Sequence, residues 1–232
     1  MKISIIIPAY NEAENIGKLV AYLKKCPGNE NFEILVADGQ SSDETPDVAG
    51  KAGATAVLCP EKGRAAQMNY GAKKAKGTIL YFLHADSYPP EDFYTKIIMA
   101  LKSGNKSGCF RLRFDYDHWF LKLNCWFTRF NIDSFRFGDQ SLFVEKDTFT
   151  RIGGFNEKLI VMEDNEIIRR IKKHSTFKVI DDSVKTSARK YLENGIYKLQ
   201  FVFLFLYVLY KLGYAQETLL KTYKKLIRQD KM

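Results

Sequence analysis

The stretch "ISIIIPAYNEAENIGKLVAYLKKC", residues 3–26, joins a short apolar run to a segment with helical periodicity. The β-branched run "ISIIIP" is typical of a strand buried on both faces of a sheet. The segment after it places its apolar residues on one helical stripe: Ile16, Leu19, Val20 and Leu23. Asn11 is the predicted N-cap of this helix. A buried strand followed by an amphipathic helix is the repeating unit of α/β proteins.

The same alternation continues to residue 86. The strand-like runs are "FEILVAD" (32–38), "ATAVLC" (54–59) and "TILYFLHAD" (78–86). The helix-like segments between them are "SSDETPDVAGKAG" (41–53) and "GRAAQMNYGAKKAKG" (63–77). This order predicts a mostly parallel, twisted, doubly wound sheet flanked by helices, in which ligands bind at the carboxyl ends of the strands.

Polar residues follow three of these strands at the edge where ligands are expected: Tyr10, Glu12, Asp38, His84 and Asp86. Carboxylates that converge in a cleft repel one another unless a cation or hydrogen-bond donors lie among them. Asp86 is a suitable oxygen ligand for Mg²⁺ or Mn²⁺, and Mn²⁺ also tolerates an imidazole ligand such as His84. Taken alone, His84-Ala85-Asp86 is also explained as a polar junction between a strand and a turn.

The composition fits one α/β domain with an appendage, since 46% of the 232 residues are hydrophobic. The four cysteines are scattered and form no C-x-x-C pair, so the sequence indicates neither a zinc site nor a redox motif. A reducing compartment such as the cytosol is then the default expectation. The first apolar run is interrupted by Pro8 and Asn11, unlike a secretory signal. We therefore expect a cytoplasmic protein.

The net charge of +9 is concentrated in residues 183–232, where ten Lys or Arg face three Asp or Glu, a net +7. Such a tail suits an anionic membrane surface or nucleic acid, and it also suits a solvated helix face. Its segment "LQFVFLFLYVLY" (199–210) is apolar on every side but shorter than the about 20 residues that cross a bilayer. That pattern predicts either a buried helix or an interfacial helix on the membrane.

The tail ends in "AQETLLKTYKKLIRQDKM" (215–232), a basic amphipathic helix with one apolar side: Leu219, Leu220, Tyr223 and Ile227. We predict one α/β domain over 1–182 and a helical tail over 183–232. The tail packs on the domain, on a second subunit or on a membrane.

A second aromatic segment, "WFLKLNCWFTRF" (119–130), predicts an amphipathic helix with a stripe of four large side chains: Trp119, Leu123, Trp126 and Phe130. Core packing is the commoner use of such a stripe. The alternative is a lipid-facing or sugar-stacking surface beside the polar edge where ligands are expected.

Five blocks of the chain occur in the order seen in family 2 glycosyltransferases: "ISIIIPAYNEAENI", "FEILVADGQSSDET", "GRAAQMNYGAKKAKGTILYFLHAD", "GDQSLFVEKDTFTRIGGFNE" and "VMEDNEIIRRI". Residues 2–174 thus resemble a short prokaryotic branch of that family. The resemblance implies the nucleotide-diphospho-sugar transferase (glycosyltransferase A) fold. It also implies inverting transfer of a sugar from a nucleoside-diphosphate donor to an acceptor hydroxyl, assisted by Mn²⁺ or Mg²⁺.

The resemblance also implies site residues by position. The nucleotide-sugar site would comprise Pro8, Tyr10, Glu12, Asp38, Gly63, Arg64, Asn69 and Asp86. Asp164, in the family's E-D element, would be the general base, with Glu163, Asp139 and Gln140 on the acceptor side. Asp86 matches the last acid of the D-x-D metal motif, whereas His84 stands where the first acid usually is, which bears on metal identity.

Glu163 and Asp164 fall in the first turn of a predicted helix, where carboxylates complement the positive end of the helix dipole. For an arbitrary protein these residues would be explained as capping residues. The same dipole favours an ionised carboxylate, which is the form that a general base requires.

Three other functions are weighed. A catalytically silent nucleotide- or membrane-binding module on the same fold would be expected to lose at least one of the acids Asp38, Asp86 and Asp164. A sugar-phosphate nucleotidyltransferase normally has a Gly-rich basic loop where this chain has "PAYNEAEN", and no G-x-G-x-x-G suggests nicotinamide binding.

The partners expected are a nucleotide-diphosphate sugar and an acceptor that is a lipid carrier, a saccharide or a small metabolite, with no nucleic acid. Peripheral contact with the inner face of the membrane through the tail and self-association into a homo-oligomer are left open.

Overall fold

A computed structural model describes residues 1–136 and 138–228 of the chain. Residues 229–232, the end of the predicted basic helix, lie outside the described residues. The strands are β1 (Ile3–Ala9), β2 (Phe32–Asp38), β3 (Thr55–Leu58), β4 (Ile79–Phe82), β5 (Ser87–Tyr88), β6 (Ser107–Phe114), β7 (Leu142–Glu145) and β8 (Phe177–Thr186).

The helices cover the faces of the sheet and form the tail. They are α1 (Ala13–Lys25), α2 (Thr45–Lys51), α3 (Arg64–Lys74), α4 (Phe93–Lys102), α5 (Trp119–Phe127), α6 (Lys146–Arg151), α7 (Glu163–His174), α8 (Arg189–Asn194), α9 (Ile196–Lys211) and α10 (Gln216–Leu226).

The sheet has the strand order β3-β2-β1-β4-β7-β6-β8-β5. Strands β3, β2, β1 and β4 are mutually parallel, as the β-α rhythm predicts. The sheet becomes mixed beyond them, because β7 is antiparallel to both β4 and β6. A short 3-10 turn at Gly138–Gln140 leads directly into β7, so that β7 begins at the edge where β4 ends. This reversal, which the sequence does not signal, brings residues 138–140 to the carboxyl edge of the parallel strands.

Three strand ends meet at that edge. Ala9 at the end of β1 is in register with Asp38 at the end of β2. On the other side of β1, the Leu83 amide just after β4 donates a 3.0 Å hydrogen bond to the Ile6 carbonyl. Since parallel strands end at one edge, the polar residues after β1, β2 and β4 lie along it.

The core has two layers because β1 is buried on both faces. Ile5 and Ile7 pack with α1 and α4 on one face, while Ile6 packs with α3 and α7 on the other. Each of these side chains is fully buried. Burial of one such side chain contributes about 1.5–3 kcal/mol, so the alternation of the strand fixes the helices on both sides.

The predicted N-cap at Asn11 is wrong. Helix α1 begins at Ala13, and Asn11 has a left-handed backbone with φ of 53°. Its side-chain Oδ1 accepts a 2.9 Å hydrogen bond from the Ser42 amide, and its own amide donates to Ser41 Oγ over 2.9 Å. Asn11 therefore ties the loop after β1 to the loop after β2, because these contacts replace the cap.

The tail helices pack on the rest of the chain. α9 buries Leu199, Val202 and Leu206, and α10 buries Leu219 and Tyr223. These residues form one apolar cluster with Phe114, Leu121 and Ala188. Strand β8 runs across the predicted boundary between residues 182 and 183. The division into two domains stays a prediction. Among the described residues, no helix has the length and apolar character needed to cross a membrane.

Core packing is wrong for the stripe of α5. Trp119, Leu123, Trp126 and Phe130, called the α5 stripe below, are all exposed, and Trp119 is 63% exposed. Only Leu121 of α5 is buried. The opposite side of the helix faces the protein, so these four large apolar side chains face outward.

Candidate active site

The N-termini of α3 and α7 are joined by an ion pair. Nη1 of Arg64 donates to Oε1 of Glu163 over 3.2 Å and lies 3.7 Å from Oδ2 of Asp164. Arg64 is half-exposed, whereas the side chains of Glu163 and Asp164 are 5% and 15% exposed. One cation therefore serves two largely buried carboxylates.

The local backbone places these three residues at helix starts. Gly63 precedes α3 with φ of +120°, a conformation that glycine adopts without strain. Met162 precedes α7 with a left-handed φ of 68°. Neither helix has a side-chain N-cap. The amide groups and the positive end of α7 therefore act on the first-turn carboxylates, as the sequence predicts.

Burial opposes that dipole at Glu163. It raises the pKa of the Glu163 carboxyl to about 7, and the neighbouring Asp164 charge adds to this rise, while Arg64 opposes it. Burial would also disfavour the charge on Arg64, but Glu163 and Asp164 outweigh it and raise the Arg64 pKa. The protonation of Glu163 therefore depends on the charges of both Asp164 and Arg64.

A second pair, His84 with Asp139, lies at the same edge. Nδ1 of His84 is 3.1 Å from Oδ1 of Asp139. Burial has the largest single effect and lowers the pKa of His84, but the hydrogen bond to Asp139 and the charges of Asp139 and Asp164 together outweigh it, so the net shift is upward. Burial raises the pKa of Asp139, but the bond to His84 and the positive charges of His84 and Arg64 together reverse this to a net lowering. The pair therefore favours an imidazolium beside a carboxylate.

Asp86 lies within the electrostatic field of the His84–Asp139 pair and of Glu12. Burial raises the pKa of its carboxyl, His84 lowers it, and the charges of Asp139 and Glu12 raise it further. The net shift is upward, which means that the negative charge of Asp86 is poorly compensated by the chain itself.

These residues fit a divalent cation that a ligand helps to hold. Mg²⁺ and Mn²⁺ sites of nucleotide enzymes often use one or two carboxylates plus the phosphates of the substrate. The poorly compensated Asp86 meets that need, and the bond from His84 Nδ1 to Asp139 is the arrangement that orients metal-binding histidines. In the part of the chain that the structure describes, no group of three or more His, Cys, Asp or Glu forms a complete protein cage.

The residues after β1 and β2 line the same edge, with their polar atoms already engaged. The Asp38 carboxylate is 1% exposed and accepts hydrogen bonds from Ser41, 3.0 Å from its amide and 2.5 Å from its hydroxyl. The Glu12 carboxylate accepts a 2.8 Å bond from Asn15. Pro8 and Tyr10 are half-buried. Nucleotide contacts of these residues stay predictions.

Two predicted site residues have structural partners within the chain. In the side chain of Asn69, Nδ2 donates to the backbone carbonyl of Phe155 over 2.9 Å, and Oδ1 accepts from the backbone amide of Phe155 over 2.8 Å. Gln140 is buried, accepts from Arg136 and donates to the Phe135 carbonyl. These bonds occupy the polar atoms that a substrate would use, so the predicted nucleotide and acceptor contacts have to compete with them.

Sequence reasoning missed Arg136. This residue is fully buried, and its guanidinium donates to Gln140 and to the carbonyls of Thr128 and Phe130. Asn165 of α7 donates over 3.1 Å to the carbonyl of Arg136. Arg136 thus joins the segment before β7 to the helix that carries Asp164. No local pattern marks a buried arginine, because its partners are mostly backbone carbonyls.

Cavities of about 520 and 490 Å³ lie beside α8 and α5 and contain none of the predicted site residues. The converging charges, rather than cavity size, therefore locate the candidate site. Six charged or ionisable residues from four parts of the chain gather there. They are Arg64 of α3, His84 and Asp86 after β4, Asp139 before β7, and Glu163 and Asp164 of α7.

Known proteins share parts of this chain. The model of the family "Glycosyl transferase family 2" matches residues 4–156. Dolichol-phosphate mannosyltransferase of Pyrococcus furiosus is 33% identical over 110 residues, which are 45% of this chain and 31% of that protein. The chain thus spans about a third of the length of this curated relative.

Two solved structures show the same fold. Mannosyltransferase PcManGT from Pyrobaculum calidifontis, in complex with GDP-Man and Mn²⁺, aligns with a TM-score of 0.73 and 17% identity, covering 97% of this chain and 67% of that one. S. aureus TarS 1-349 in complex with UDP aligns with a TM-score of 0.68 and 16% identity, covering 81% and 60%. Both likenesses confirm the glycosyltransferase A fold. The family match over residues 4–156 shows that the chain belongs to glycosyl transferase family 2.

Proposed function

We propose that the chain transfers a sugar from a nucleoside-diphosphate donor to an acceptor hydroxyl by one displacement with inversion. Asp164 accepts the hydroxyl proton as the acceptor oxygen attacks the sugar carbon. Arg64 offsets the charge that grows on the departing nucleoside diphosphate. No covalent intermediate on the protein is required.

The observation that carries the proposal is the position of Arg64 against Asp164. A half-exposed guanidinium at the start of α3 lies 3.7 Å from Asp164, the proposed base, and α3 follows β3 at the edge where nucleotides bind in this fold. Negative charge developing on a diphosphate would draw Arg64 toward it. The Arg64 guanidinium, which would stabilise the leaving group, is thus in contact with Asp164, which would receive the proton.

Asp86, with His84, is proposed to hold a divalent cation together with the donor diphosphate. A bound cation would supply positive charge that stabilises the leaving group. Asp139 orients the His84 ring through the 3.1 Å contact. The complex of PcManGT with Mn²⁺ supports this part of the proposal.

Lipid carriers are among the candidate acceptors, because one relative is named for dolichol phosphate. Donor candidates include UDP- and GDP-sugars, since TarS was solved with UDP-GlcNAc and PcManGT with GDP-Man. A cytoplasmic location with peripheral contact to the inner face of the membrane is part of the proposal.

A donor screen tests the function. Purified chain is incubated with UDP- and GDP-sugars, with Mn²⁺, Mg²⁺ or EDTA, and release of the nucleoside diphosphate is measured with and without candidate acceptors. We expect one donor class to be consumed in a cation-dependent way. If no donor is consumed and nucleoside diphosphate with Mn²⁺ gives no thermal shift, the proposed function is wrong, whereas a thermal shift without donor consumption would indicate a nucleotide-binding module without catalysis.

A further inference from the structure

The apolar helix α9 has two different faces. Its buried face packs on the protein, and its outer face consists of Tyr197, Phe201, Leu204, Phe205 and Val208, all exposed. The spacing of these five residues is that of one helical stripe. Phe201 is 69% exposed, although phenylalanine is normally among the most buried residue types.

The outer face of α9 continues into the α5 stripe. The rings of Trp119 and Tyr197 have centroids 6.4 Å apart, and those of Phe120 and Tyr197 are 4.9 Å apart. Two segments far apart in the sequence therefore build one exposed apolar surface. Exposed apolar surface of this extent marks an interaction site rather than ordinary surface variation.

The charges beside this surface are positive. Neither α5 nor α9 contains an Asp or Glu, while exposed Lys198 and Lys211 lie near the two ends of α9. Next to the α5 stripe, a cavity of about 490 Å³ is lined by Arg111, Arg113, Lys122, Trp126 and Arg129, with Asp115 and Asp117. Lys122 pairs with Asp117 over 2.6 Å and Arg111 pairs with Asp181, so Arg113 and Arg129 remain against Asp115 and the cavity has a net positive charge.

This combination fits an anionic lipid bilayer better than a second copy of the chain. A twofold interface sets the same patch against itself, so basic ends would face basic ends without a carboxylate on either helix. Lipid phosphates supply the missing negative charge, and Trp and Tyr are the side chains enriched at the membrane interface.

We propose that the outer face of α9 and the α5 stripe form a docking surface that lies on an anionic bilayer. The apolar side chains enter the boundary between head groups and acyl chains, and the flanking Lys and Arg contact lipid phosphates. Delivery of a lipid acceptor to the site rests on the proposed function. It is supported by the packing of Val161 and Met162, which precede Glu163 and Asp164, against the apolar cluster that contains the inner face of α9. Binding itself does not depend on that function.

The two tryptophans of the chain provide a direct readout, because both Trp119 and Trp126 belong to the α5 stripe. The full chain is mixed with vesicles of phosphatidylcholine alone or with phosphatidylglycerol, without donor. We expect co-sedimentation and a blue shift of tryptophan emission only with the anionic vesicles. Brominated lipids should quench the emission, and added salt should weaken binding.

Variants locate the surface. Combined Phe201→Ser, Leu204→Ser and Phe205→Ser should weaken vesicle binding by about tenfold or more, because the apolar contribution is removed. Leu58→Ser with Met99→Ser is the matched control, since Leu58 and Met99 are 65% and 64% exposed outside this surface. Should the triple variant lower the melting temperature, Phe201→Ser alone and Lys198→Gln with Lys211→Gln provide the same comparison.

Several outcomes would overturn the proposal: equal binding to neutral and anionic vesicles, unchanged binding of the triple variant, or tryptophan emission that does not respond to lipid. A dimer in lipid-free sedimentation that the triple variant converts to a monomer would assign the surface to a second copy instead. Nucleotide-sugar turnover is measured separately. Vesicle binding without turnover would contradict the proposed function and support the docking surface.

Discussion

The Arg64 guanidinium lies 3.7 Å from Oδ2 of Asp164, so the candidate base is paired with a cation before any substrate is bound. The same guanidinium donates to Glu163 over 3.2 Å. Arg64 is half-exposed and can turn toward a diphosphate, whereas both carboxylates are fixed at the start of α7. Donor binding is therefore expected to release Asp164 from its partner at the moment when a base is required.

Replacement of the base tests this directly. We expect Asp164→Asn to lower transfer to a hydroxyl acceptor by about 10²–10⁴-fold, because the amide cannot accept the proton. Glu163→Gln is the matched control on the same helix turn, and it should retain more activity. The measurement is the initial rate of transfer, with thermal melting to verify folding.

The same variant distinguishes acceptor classes. The second pKa of a phosphate monoester is about 6, so the group is already ionised at pH 8 and its attacking oxygen has no proton for a base to remove. If Asp164→Asn transfers sugar to a lipid phosphate at the wild-type rate, the acceptor is a phosphate and the role of Asp164 as base is wrong.

Glu163 gives a prediction for the pH dependence of stability. Its carboxyl has a pKa of about 7 in the folded chain against an ordinary value of 4.5, so the folded chain binds this proton more tightly than the unfolded chain. The free energy of unfolding should then fall as pH rises from 4.5 to about 7, by up to about 3 kcal/mol from this residue.

Denaturant unfolding at a series of pH values checks this. Glu163→Gln keeps an oxygen that accepts from Arg64 but removes the titration, so the decrease should become smaller and the variant should exceed the wild type in stability at pH 8. Equal pH profiles for both proteins would mean that Glu163 ionises normally in the fold.

Arg64 is expected to contribute to donor affinity. Arg64→Gln should weaken binding of the nucleoside diphosphate by about 10–100-fold, because a charge-assisted contact to phosphate is lost. Lys62→Gln, at an exposed cation two residues earlier, is the control for a general loss of positive charge. Titration calorimetry with UDP or GDP measures both. A similar loss in both variants would assign the effect to net charge alone.

The parallel half of the fold and the polar edge could be predicted because they depend on local patterns. Strand periodicity and the β-α rhythm place Glu12, Asp38 and Asp86 at strand ends without any tertiary information. The contact between His84 and Asp139 could not be predicted in this way. It depends on the antiparallel entry of β7, which a sequence pattern does not specify.

Other differences have the same origin in long-range contacts. Asn69 is engaged by a backbone segment 86 residues away, and Arg136 is buried among carbonyl groups. The α5 stripe has the periodicity of a core helix, but the neighbouring elements cover only its opposite side. A helical pattern shows which residues share a face, and it does not show what covers that face.

Asn69 separates a structural role from a nucleotide contact. We expect Asn69→Ala to lower the free energy of unfolding by about 1–3 kcal/mol, because the Phe155 amide loses its acceptor. Affinity for UDP or GDP should change little. Lys73→Ala, on the same helix, is the control. A variant of unchanged melting temperature with weakened nucleotide binding would instead support the contact implied by the family resemblance.

The histidine at the metal position yields the last prediction. His84→Asp places a carboxylate beside Asp139 and Asp86, so in EDTA it should lower the melting temperature through charge repulsion. Mn²⁺ should restore more stability to this variant than to the wild type, since the added carboxylate is a cation ligand. His84→Asn removes the imidazole without adding charge and is the matched control. If Mn²⁺ shifts all three proteins equally, the cation binds elsewhere and Asp86 with His84 is not the metal site.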